Sequence, residues 1–140
     1  MRKLKYFIPS FILMIVIFSF SSQTGTESSG LSGHIVQMIY QYTHIHIPEL
    51  IIRKGAHMSE YALLCFTLIY GFYKCGFSLK QVIIFSICAT FLYACSDEFH
   101  QLFVGGRAGQ FTDVCIDTSG GIIASFIAYL FIHLRRGYNE

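Results

Sequence analysis

Asp97-Glu98-Phe99-His100-Gln101-Leu102-Phe103 ends a long apolar run and is followed by Gly105-Gly106-Arg107, Asp113 and Asp117. A second polar stretch, Arg53-Lys54-Gly55-Ala56-His57-Met58-Ser59-Glu60-Tyr61, opens another apolar run. Ionisable groups beside such runs decide the fold class. A charge at membrane depth costs about 2.5–3.5 kcal/mol on insertion scales, so it marks a site or a pair.

The 140 residues are 54% hydrophobic and 13% charged, with mean hydropathy +0.54. Soluble domains carry about 25% charged residues, so the balance is that of a membrane protein. A net charge of +2 with dispersed basic residues gives no footing for nucleic acid. The cysteines (Cys65, Cys75, Cys88, Cys95, Cys115) show no C-x-x-C pair, and most lie in or beside apolar runs, where Cys acts as a small hydrophobe.

Four apolar stretches, at about 6–22, 56–73, 82–100 and 113–134, predict an all-α polytopic protein with four transmembrane helices in one domain, residues 1–140. Residues Thr24 to Gly33 are rich in Gly, Ser and Thr and read as a loop. A short interfacial helix from Ser32 to about Tyr42 is expected from the spacing of Ile35, Val36, Met38, Ile39 and Tyr42. His44 and His46 read as solvated loop residues. The first 25 or so residues also resemble a signal peptide, but without an A-x-A-like site, so an uncleaved first helix is expected.

The positive-inside rule places both termini in the cytoplasm. Seven of the ten basic residues (Arg2, Lys3, Lys5, Lys74, Lys80, Arg135, Arg136) then lie inside, and Arg53, Lys54 and Arg107 outside. All acidic residues but Glu140 fall outside, so both polar clusters share the outer face of a plasma-membrane protein.

Helical spacing groups these residues further. His57 and Glu60 are three apart, Asp97 precedes His100 by three and Gln101 by four, and Asp113 and Asp117 are four apart near a helix start. Three helix ends meeting at one surface would gather them. His57, Glu60, Asp97, Glu98 and His100 are the candidates for acid/base chemistry, and their carboxylates and imidazoles could hold a divalent metal. Arg53, Gln101, Arg107, Asp113 and Asp117 are candidates for ligand and anion binding, arginine being suited to phosphate or carboxylate. The implied ligand is an anionic, lipid-linked head group. The same residues also suit a purely structural network, so catalysis stays open, as do cofactor and oligomeric state. The stripe Gly120, Gly121, Ala124, Ser125 and Ala128 is expected to pack helices within the chain. No H-E-x-x-H or G-x-S-x-G motif is present.

In Phe20-Ser21-Ser22-Gln23, Arg53-Lys54-Gly55-Ala56-His57 with Glu60-Tyr61, Asp97 to Phe103, Gly106-Arg107, and Asp113-Val114 with Asp117 and Gly120-Gly121, the chain resembles the VanZ-like family of small bacterial membrane proteins. Gly105 departs from it, since the family usually has Pro before Gly-Arg. The resemblance implies an integral protein of the cell envelope, in a family named for a member associated with resistance to the glycopeptide teicoplanin. Two functions follow as expectations: binding or modifying an envelope or lipid-linked component, or a non-enzymatic accessory role in which the polar cluster is structural.

Overall fold

The computed structural model describes residues 3–137. A 3-10 turn, Leu4–Phe7, leads into α1 (Ile8–Ser21). Then follow α2 (Gly25–Thr43), α3 (Glu49–Lys74), α4 (Leu79–Gln101) and α5 (Phe111–Gly137). No strand occurs among the described residues.

Among the described residues, three segments are long and apolar enough to cross a membrane: Leu4–Ser21, Leu79–Gln101 and Phe111–Arg135. Of the four expected crossing helices, these account for three. The run at 56–73 belongs to α3, whose first half carries Glu49, Arg53, Lys54, His57 and Glu60. Its unbroken apolar part, from Tyr61 to Tyr73, falls short of the roughly 20 residues that a crossing helix needs. Yet α3 is the central helix, packed along α5, α4 and α1. Tyr61, Leu64, Cys65, Leu68 and Ile69 recur at helical spacing and are buried. Phe11, Ile15, Leu92, Ile122, Phe126 and Leu130 face outward from the apolar helices, as lipid contact requires.

Small residues set how closely these helices approach. A Cβ on Gly120 would lie 2.1 Å from the Met58 carbonyl oxygen, and one on Gly121 would lie 2.9 Å from Thr90 Cγ2. Ala124, Ser125 and Ala128 are buried on the same side, with Ser125 Oγ 3.3 Å from Cys65 Sγ. The stripe therefore packs α5 onto α3 and α4 within one chain.

The loop expected at Thr24 to Gly33 is a helix instead. Thr24 caps α2: its hydroxyl accepts from the Glu27 amide, while its own amide donates to Glu27 Oε2 at 2.8 Å. That reciprocal pair satisfies amides that a helix start otherwise leaves open. The helix ends at His44, whose left-handed φ of 55° closes the last turn. His44 and His46 are exposed and stand against the Tyr40 ring. The third helix likewise starts earlier than expected, right after Pro48.

The ends of the bundle differ in charge. Lys3 donates to the carbonyl of Cys75 in the turn between α3 and α4, which puts Lys3, Lys5, Lys74, Lys80 and Arg135 at one end. Arg53, Lys54 and Arg107 are at the other, with the carboxylates. Arg2 and Glu140, and the side chain of Arg136, lie outside the described residues.

Candidate functional site

At the acidic end, α3 begins, α4 ends and α5 begins, so residues far apart in sequence meet at three helix termini. The loop from Leu102 to Gln110 completes the ring. It turns at Gly106, whose φ of +73° suits glycine. The loop is fastened to the start of α2, where the Gly25 amide donates to the Gly105 carbonyl at 3.1 Å. Contact is so close that a Cβ on Gly25 would lie 2.2 Å from the Gly106 oxygen.

Arg107 makes the second fastening. Its Nη2 donates to the Phe20 carbonyl (3.2 Å), its Nε to the Gln23 carbonyl (3.0 Å) and its Nη1 to Gln101 Oε1 (3.5 Å). A cation on the carbonyl end of α1 complements the negative pole of that helix. Burial, and then the neighbouring Arg53, push the guanidinium pKa down from its usual value, but the group stays charged at any working pH.

A cavity of about 370 Å³ opens between these elements. Arg53, Lys54 and His57 line it from α3, and Glu98 and Gln101 from α4. Arg107 lines it from the loop, and Asp113 and Asp117 from α5. Lys54 pairs with Asp113 across the α3–α5 contact. Glu98 accepts the Gln110 amide at 2.9 Å, just before α5. Gln101 Nε2 donates to Asp97 Oδ2 at 3.4 Å. Among the described residues Arg53 has neither a salt-bridge nor a hydrogen-bond partner, although it faces the cavity.

The remaining candidates lie around this cavity. His57 Nδ1 is 3.6 Å from Glu60 Oε2, and Glu60 lines a smaller neighbouring cavity. Asp97 is buried behind Gln101. His100 lines neither cavity; its ring packs on Phe18 of α1 at 4.5 Å. Asp97 and His100 are three apart, but it is Gln101, four apart, that turns to the carboxylate. His57 Nδ1 and Glu60 Oε2 face each other just beyond hydrogen-bond distance, and Tyr61 Oη and Asp97 Oδ1 are buried beside them.

Among the described residues, no three His, Cys, Asp or Glu side chains converge as metal ligands. Leu50 and Gln110 also line the polar cavity, and neither was singled out from the sequence. For Gln110 no local signal exists, because its place follows from the loop's path.

A protein-family model described as VanZ/LLP1 matches residues 6–132. No curated protein and no solved structure matches the chain.

Proposed function

The chain belongs to the VanZ/LLP1 family, and from that membership we propose a multi-pass protein of the bacterial plasma membrane whose polar cavity binds the anionic head group of a lipid-linked envelope component. In this reading α3 is a fourth crossing helix. Its charged first turns stand in the outer interface, and both termini are cytoplasmic.

One observation carries the reading: among the described residues Arg53 lines the polar cavity without a salt-bridge or hydrogen-bond partner. A network serving only to fix helix register would use such a cation in a pair, as it does Lys54 with Asp113. Arg53 supplies the free fork of donors that an anion needs. Arg107, held by the α1 carbonyls, keeps part of its donor set for the same cavity. His57 is placed to exchange a proton with the head group, and Glu98 or Asp117 to accept one. Protection against teicoplanin would then be a consequence of altered surface chemistry.

Lipid extraction and mass spectrometry on purified protein test this. The expected result is an anionic lipid enriched over bulk membrane with the native protein and lost with Arg53→Gln. Identical lipid profiles for the two would overturn the reading.

A second reading, a non-enzymatic accessory protein, draws on the groups that are paired: Lys54 with Asp113, and Arg107 with α1. A stoichiometric protein partner co-purifying with both native protein and Arg53→Gln, with no enriched lipid, would favour it.

A further inference from the structure

Behind the polar cavity lies a second one of about 150 Å³. Arg53, His57 and Arg107 line both, so a single wall of three polar side chains separates two chambers. The second chamber is otherwise bounded by Phe20 from the end of α1, Leu31 and Ile35 from α2, and Ile52 and Ala56 from α3, with Gln23, Ser28, Ser32 and the Glu60 carboxyl at its polar edge. One chamber suits a hydrated anion and the other suits carbon.

We propose that the two chambers form one site for a single-chain amphiphile, with a phosphate-type anion among Arg53, His57 and Arg107 and the first carbons of its apolar chain beneath α2. This rests on the head-group reading of the polar cavity. Three features favour it. The shared wall puts the cations where head and chain would join. The second chamber holds about 150 Å³, room for the first carbons of one chain rather than the paired chains of a diacyl lipid. On α2, Leu31, Ile35, Met38 and Tyr42 follow one another on a single exposed face, which offers the rest of the chain an apolar path into the bilayer. The helix is fixed over the chamber at two points, through Gly25 to Gly105 and through Ser32 Oγ, which donates to Glu49 Oε1 at 2.8 Å.

The site is tested with dodecyl phosphate carrying a diazirine near its phosphate end, added to full-length protein in phosphatidylcholine nanodiscs. Photolabelling is expected at Leu31, Ile35 and Ile52, and should fall at least fivefold in Ala56→Phe, where the new ring grows into the chamber from an exposed position. Leu31→Phe provides an independent block from α2, should Ala56→Phe not fold. Labelling that depends on Arg53 but maps to the lipid-facing sides of α1, α4 and α5 would overturn the inference and leave the head-group reading standing. Labelling indifferent to Arg53→Gln would overturn both.

Discussion

Arg107 Nη2 donates to the main-chain carbonyl of Phe20, 87 positions earlier, at 3.2 Å. That contact makes the loop before α5 and the exit of α1 one structural unit, with Gly25 and Gly105 as its second seam. The arginine therefore positions the wall of the cavity that Arg53 also lines.

Arg107→Ala should lower the melting temperature in detergent markedly, with a loss of about 3 kcal/mol from severed hydrogen bonds to a charged donor. Arg107→Lys should recover little, since one ammonium nitrogen cannot span acceptors that the guanidinium reaches from three separate nitrogens. An unchanged melting temperature for Arg107→Ala would show that the α1 contact contributes nothing.

Gly120→Ala should be among the most damaging small substitutions in the chain, because its Cβ would lie 2.1 Å from a main-chain oxygen of α3. The expected loss is about 3 kcal/mol, at the upper end of ordinary overpacking. Gly121→Ala should cost less, as it meets the end of a side chain at 2.9 Å, and Gly33→Ala, with nothing within 4 Å, should be neutral or better. Thermal unfolding of the three variants checks this order.

Lys54 and Asp113 are about one-third exposed, so their ion pair is worth no more than about 1 kcal/mol. Single substitutions should leave the protein accumulating normally in the membrane. The exchange Lys54→Asp with Asp113→Lys should restore most of any lost stability. Failure of either single variant to accumulate would mean that the pair holds the bundle together.

At the start of α2, bonds from the Thr24 main chain and hydroxyl hold the Glu27 carboxyl below its ordinary pKa of 4.5. A depressed folded-state value stabilises above the unfolded pKa and is lost as pH falls through the folded one. Amide protection in the first turn of α2 should therefore fade on acidification below about 4.5, and Glu27→Gln should flatten that dependence. Protection that is indifferent to pH in the native protein would contradict the cap.

Much of this was legible in the sequence. The polar clusters flanking apolar runs pointed to α4, α5 and the gathering of His57, Glu98, Gln101 and Asp113. Spacing alone paired His57 with Glu60. Other features were less accessible. Thr24-Gly25-Thr26-Glu27 is a visible capping box, but Gly and Ser around it read as a loop. The start of α3 was hidden because its continuous apolar run begins only after Glu49, Arg53, Lys54 and Glu60. Main-chain acceptors carry no signature, so the bonds from Arg107 to the Phe20 and Gln23 carbonyls were not legible. For His100, spacing gave a face of α4 but not that Phe18 of α1 would cover it.

The most direct measurement is the affinity for dodecyl phosphate of the native protein and of Arg53→Gln, each at matched thermal stability. Removing a charged hydrogen-bonding partner costs about 1.5–3 kcal/mol, so binding is expected to weaken by roughly 10- to 100-fold. Equal affinities would contradict the assignment of Arg53 and, with it, the anion site.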